Sequence, residues 1–198
     1  MKVTKPFEGY RYIGGIEEVP CWFFEGVEVP DIDFDDLVWT CNKGSLLQPE
    51  DNYSLRYTAH YSNAHNRPIM SELKNIMDSV ILNIKENHKT NGLENHYPIN
   101  TWKPHNNYDI KKDLPGFEMG HHLDNRNTKW TFIMNLIDNE ESTIFYHTPF
   151  KAPYSMLDPI IGPTKKGSGT FYFNHHTIFH GVGPITKERY TLFQQALL

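Results

Sequence analysis

His122, Leu123 and Asp124 place an imidazole and a carboxylate two residues apart, and a second imidazole, His180, follows much later in the chain, with Arg189 beyond it. Two imidazoles and one carboxylate can form a face of ligands that holds non-haem Fe(II) while leaving open positions for a substrate and O2. The chemistry such a set suggests is oxygenation. Eleven histidines in 198 residues also allow coincidental pairing, so the elements that carry these residues have to supply further support.

Side chains alternate across a β-strand with period two. If residues 118–124 are extended, His122 and Asp124 share one face and Leu123 anchors the other, so both ligands arrive together. The third ligand must then come from a neighbouring strand, and its distance in sequence is expected. Further along, the segment from His180 through Gly181, Val182, Gly183 and Pro184 reads as a turn into a last strand on which Arg189 and Thr191 share a face. A guanidinium fork matches a carboxylate bidentately, and a hydroxyl beside it adds a bond. This end of the chain is equipped to hold a dicarboxylic acid.

The supporting elements follow from periodicity. Met70, Leu73, Ile76, Met77, Val80, Ile81 and Ile84 recur at helical spacing, with Pro68 before them and Asn91-Gly92 after, which predicts an amphipathic helix over about 69–88. Short aromatic and β-branched runs divided by Gly, Pro, Asn and Asp predict strands over 53–61, 117–124, 129–137, 143–147, 170–174 and 189–196, the pattern of a mostly-β sandwich or barrel. The N-terminal segment, with Pro20, Pro30 and the acidic run Asp31 to Asp36, reads as edge strands or a loop over the site.

Composition narrows the class. At 198 residues and 38% hydrophobic, the chain fits one domain with a real core, which we divide into 1–110 (helix and supporting strands) and 111–198 (the ligand-bearing core). A net charge of −5 and the lack of any basic run disfavour nucleic acid as a partner. Cys21 and Cys41 are too few for a disulfide framework and point to a reducing, cytoplasmic setting. No window has the ~18 apolar residues of a membrane span, and the first residues lack a signal-peptide pattern. Oligomeric state is not encoded in any motif.

With its His-x-Asp, distal His and Arg-x-Thr elements in this order, joined by the strand from Gly169 to Phe173, the chain resembles the Fe(II)- and 2-oxoglutarate-dependent oxygenases, and within them the prolyl-hydroxylase-like group. The match covers about 117–198. It implies a double-stranded β-helix, a jelly roll of cupin type, with iron held by His122, Asp124 and His180. The resemblance also implies that Arg189, assisted by Thr191, takes the distal carboxylate of 2-oxoglutarate. Its other end would chelate the metal, and O2 would be the second cosubstrate. The prime substrate implied is a prolyl or other residue in a protein, with a free amino acid or a metabolite as alternatives.

Two departures stand out. The Gly-Gly-x-Thr-x-Phe stretch of many relatives is replaced by Glu140 to Phe145 without glycine. The tyrosine that prolyl hydroxylases place near the cosubstrate falls near Met134, which leaves Tyr108, Asn135 and Tyr146 as candidates for that contact. His175 and His176 compete with His180 but lack the turn that follows it. His121 should face away from the site. Arg126, Trp102 and Trp130, with Arg56, His60 and Arg67, could line a substrate groove but read more simply as core or solvated side chains. The alternative to an oxygenase is a cupin-like module that binds metal and a small ligand without oxidation, and it would have no need of the Arg189-Thr191 pair.

Overall fold

The computed structural model describes residues 1–7, 10–12, 15–17, 19–41, 53–87, 108–147, 158–174 and 178–197. Fourteen strands and one α-helix are found there. The strands run β1 (Lys2–Thr4), β2 (Tyr10–Tyr12), β3 (Gly15–Glu17), β4 (Cys21–Glu25), β5 (Thr40–Cys41), β6 (Arg56–His60), β7 (Tyr108–Asp113), β8 (Met119–His122), β9 (Thr128–Asn135), β10 (Thr143–His147), β11 (Ile160–Ile161), β12 (Gly169–Phe173), β13 (Ile178–Val182) and β14 (Arg189–Leu197). The helix α1 spans Arg67–Asn87, between β6 and β7. Two antiparallel sheets face each other, a large one ordered β1-β4-β12-β9-β14-β7-β6-β5 and a small one ordered β11-β10-β13-β8. The mostly-β jelly-roll expectation is met.

Alternation along the large sheet decides which residues reach the site. On β9, Trp130, Phe132 and Met134 point to one face, and on β12 and β14 Phe171, Phe173, Leu192 and Ala196 do the same. There they meet the stripe Met70, Leu73, Met77, Val80, Ile81 and Ile84 of α1 in one core. With one face of the sheet sealed by the helix, the alternate residues must face the small sheet. These include Thr131 and Ile133 on β9, Tyr172 on β12, and Arg189, Thr191, Phe193 and Gln195 on β14.

Several expectations need adjustment. The strand expected over 117–124 is shorter, and Asp124 lies beyond the end of β8, because Asn125 opens a turn in which it accepts from the Thr128 N–H at 2.7 Å. The strands β7 and β13 were not anticipated. The first half of the chain supplies β1, β4, β5, β6 and part of β7 to the large sheet, so the sheet joins both halves. Trp102, His175, His176 and the Asn91-Gly92 stop signal lie outside the described residues. Cys21 and Cys41 form no disulfide. No helix among the described residues is long and apolar enough to cross a membrane.

Candidate metal and dicarboxylate site

Asp124, His122 and His180 converge between the sheets, with one ligand atom of each within 4.8 Å of the others. They are brought together from two directions. His122 on β8 is the register partner of His180 on β13, and their rings lie 4.5 Å apart. The pairing carries a register shift between His180 and Val182, whose partners are His122 and Met119. This β-bulge lets both Met119 and His122 face the cavity, which an unbroken strand would forbid. Gly181 permits the close approach, since a Cβ there would lie 2.7 Å from the Met119 carbonyl oxygen.

Asp124 reaches the same point from the loop after β8 and is held by the opposite sheet. Thr131 Oγ1 donates to Oδ2 at 2.7 Å and Gln195 Nε2 donates to Oδ1 at 2.9 Å. Oδ1 lies 3.6 Å from His180 Nε2, and both side chains are buried. His122 Nδ1 sits 2.8 Å from the Gly120 carbonyl. Because a carbonyl only accepts, that nitrogen must carry the proton, which leaves Nε2 as the lone-pair donor. Burial pushes the His180 imidazole down to about 4, so it is neutral near pH 7. Two imidazoles and an anchored carboxylate fit a divalent transition metal.

The cavity at this point has a volume of about 260 Å³ and is lined by residues of both sheets. Ligand pockets commonly run ~300–1,000 Å³, so the space suits a small metabolite. Its cationic end is built on β14, β7 and β6. Arg189 is buried, donates from Nη1 to Asp113 Oδ2 at 3.2 Å and from Nη2 to Thr143 Oγ1 at 3.2 Å, and has no partner for Nε. Its register partner Asp113 is fully buried and also receives Arg56, from Nε at 2.5 Å and from Nη2 at 2.9 Å. Burial disfavours the charge on Arg189, and Asp113 opposes that effect.

Lys111 adds a third cation, bonded to Asp109 at 3.1 Å and Thr58 at 3.2 Å, with burial pulling its pKa down against the pull of Asp109. Three cations against Asp109 and Asp113 leave this end with a surplus positive charge. The unpaired Nε and that surplus suit a carboxylate ligand. Thr191 shares the cavity face with Arg189.

Other expected residues lie elsewhere. Tyr108 faces the helix side, its ring 4.7 Å from that of Tyr61. Asn135 is spent on the Pro163 carbonyl at 2.8 Å, Ser168, and the Asn139 amide. Tyr146 is on the outer face of β10, in edge contact with His121 at 4.6 Å. None of the three lines the cavity. Strand alternation turns Tyr108 and Tyr146 away from it, whereas Asn135 shares the face of Thr131 and Ile133 on β9 and sits at the end of that strand, its amide engaged by the hydrogen bonds just given. His121 faces outward as expected, Trp130 is core, and Arg126 is exposed. Arg56, read as a solvated edge, is instead a cavity residue.

Thr131, Thr143, Tyr172, Gln195 and Asp113 are cavity or anchoring residues that the sequence reading passed over. Gln195 alone had a visible signal, the same two-residue step that links Arg189 to Thr191.

No protein-family profile and no curated protein matches the sequence. Solved structures do. A prolyl hydroxylase from Trichoplax adhaerens, in complex with a hypoxia-inducible-factor oxygen degradation domain peptide fragment, superposes with a TM-score of 0.52 at 14% identity, over 72% of this chain and 62% of that one. A 2OG-Fe(II) oxygenase family oxidoreductase from Burkholderia pseudomallei gives 0.43 at 14% identity, over 71% and 67% of the two chains. A Pseudomonas putida prolyl-4-hydroxylase gives 0.44 at 9%, over 72% and 69%. The chain thus spans less than two thirds of the Trichoplax protein, and what it shares with that protein is the jelly-roll fold.

Proposed function

We propose that the protein is an Fe(II)- and 2-oxoglutarate-dependent dioxygenase that hydroxylates a C–H bond of a prime substrate. The observation that carries this reading is the meeting of His122, Asp124 and His180 in one cavity with the buried Arg189. His122, Asp124 and His180 hold the iron, and Arg189 with Thr191 takes the distal carboxylate of 2-oxoglutarate. When bound, the iron and the ketoacid would supply the oxidative chemistry, in which O2 is reduced at the expense of 2-oxoglutarate, succinate and CO2 are the coproducts and one oxygen atom goes to the substrate.

The chain's own residues act as positioners in this reading. The Gly120 carbonyl fixes the His122 tautomer, Thr131 and Gln195 fix the Asp124 carboxylate, and Asp113 fixes Arg189. The surplus positive charge at Arg56, Lys111 and Arg189 draws the dicarboxylate into one orientation. A protein or peptide is the favoured prime substrate, supported by the peptide held by the Trichoplax neighbour.

The reading is tested by succinate formation in air from Fe(II) and 2-oxoglutarate, with peptides, amino acids and metabolites as stimulants. Stimulation by a prolyl or other peptide is expected. Ligand binding with no succinate from any mixture would instead favour the non-oxidising cupin-like module.

A further inference from the structure

Arg56, Asp113 and Arg189 form one row across three neighbouring strands, because Asp113 of β7 is the register partner of Arg56 on β6 and of Arg189 on β14. Their side chains are 11%, 0% and 4% exposed, so water screens this row little, and two guanidinium groups share one carboxylate. The sharing is unequal. Arg56 takes Asp113 with a fork, from Nε to Oδ1 at 2.5 Å and from Nη2 to Oδ2 at 2.9 Å, whereas Arg189 makes a single contact, from Nη1 to Oδ2 at 3.2 Å. Arg56 is fixed in that pose by the buried Phe117, whose ring centre lies 4.2 Å from its guanidinium carbon. The third cation of this end, Lys111, is bonded to Asp109 and Thr58.

The division matters because Asp113 is a ready-made anion beside Arg189. A guanidinium pairs with a carboxylate best when two N–H groups engage both oxygens. Asp113 with no other partner would turn into Arg189 and occupy the donors that a ligand needs. With both Asp113 oxygens held by Arg56, Arg189 Nε is left buried without a partner, a costly state that a carboxylate ligand relieves. We propose, resting on the function proposed above, that Arg56 is a positioning residue for the cosubstrate: it holds Asp113 back from Arg189 and so keeps the Arg189 fork open for the distal carboxylate of 2-oxoglutarate. Arg56 acts through Asp113 rather than by touching the ligand.

The test is anaerobic titration of the Fe(II)-loaded protein with 2-oxoglutarate and with 2-oxopentanoate, the same ketoacid chain without the distal carboxylate, each followed by the visible chelate band. Arg56→Met should weaken 2-oxoglutarate binding about tenfold or more, the scale of one hydrogen bond to a charged group, and leave 2-oxopentanoate within about twofold, as for independent sites. Arg56→Lys keeps the charge but lacks the fork, and should still lose about threefold or more on 2-oxoglutarate. Adding Asp113→Asn to Arg56→Met removes the competing anion and should recover most of the loss, which a merely damaged fold would not do. Unchanged 2-oxoglutarate affinity in Arg56→Met overturns the proposal, as do an equal loss for both ketoacids, an Arg56→Lys protein that binds like the unsubstituted one, or a folded double variant that binds no better than Arg56→Met. Should the double variant not fold, the two single variants against the two ketoacids decide. If the unsubstituted protein gives no chelate band with either ketoacid, the oxygenase reading fails first and this proposal with it, whereas a normal band with unaltered variants sinks this proposal alone.

Discussion

Asp124 is held in place by hydrogen bonds made from the sheet opposite its own loop. Thr131 and Gln195 each satisfy one of its oxygens, so the carboxylate is oriented before any metal arrives. Loss of such outer partners commonly costs 10–100-fold in metal affinity. Thr131→Val should therefore weaken Fe(II) binding by about that factor while lowering stability by only ~1 kcal/mol, as measured by chelator competition and by denaturant unfolding. An Fe(II) affinity equal to that of the unsubstituted protein would show that the loop alone positions Asp124. Asp113 has a heavier structural role, because it is the buried counter-ion shared by the buried Arg189 and the partly buried Arg56. Asp113→Asn should cost about 3–5 kcal/mol, the usual consequence of leaving buried charge unpaired. Arg56→Met keeps the Arg189–Asp113 pair and should cost less in the same unfolding measurement.

The register between β8 and β13 converts a local irregularity into a metal site. Gly181 lies where a Cβ would meet the Met119 carbonyl oxygen at 2.7 Å and His121 Cδ2 at 3.0 Å, so Gly181→Ala must push β8 away from β13. Because His122 is paired to His180 across that contact, the expected result is a loss of metal affinity, with about 1–3 kcal/mol of destabilisation from overpacking. Metal titration of the folded variant checks it. The same pair of strands marks where the sequence was hard to read. Residues 178–182 contain Ile178, Phe179 and Val182, yet Gly181 and the following Gly183 and Pro184 read as the start of a turn, so the sequence carries no local signal for β13. The shared face of His122 and Asp124 was inferred from an unbroken strand, whereas Asp124 is carried by a loop and fixed by side chains far away in sequence. Such contacts have no local signal. The α1 stripe and the alternation of Arg189 and Thr191 on β14 were legible because each depends on the period of one element.

The whole molecule separates its core from its chemistry. The helix seals one face of the large sheet with Trp130, Phe132, Phe171 and Leu192, and the small sheet closes over the other to make the cavity. Leu73, fully buried on α1, should therefore affect stability alone: Leu73→Ala is expected to cost ~2–5 kcal/mol and leave Fe(II) affinity of the folded protein unchanged. A large change in metal affinity would mean that the helix face and the site are coupled through the sheet. The N-terminal segment contributes β1 and β4 as an outer pair beyond β12, which accords with the edge strands expected there.

The most direct test of an iron and 2-oxoglutarate centre is optical titration in the absence of O2. Fe(II) followed by 2-oxoglutarate should produce a weak visible charge-transfer band. His180→Ala should abolish the band, and Arg189→Met should retain Fe(II) binding but require at least ~10-fold more 2-oxoglutarate to reach it, as expected for a lost charge-assisted contact. No band in the unsubstituted protein, or a band that persists unchanged in His180→Ala, would contradict the assignment of the centre.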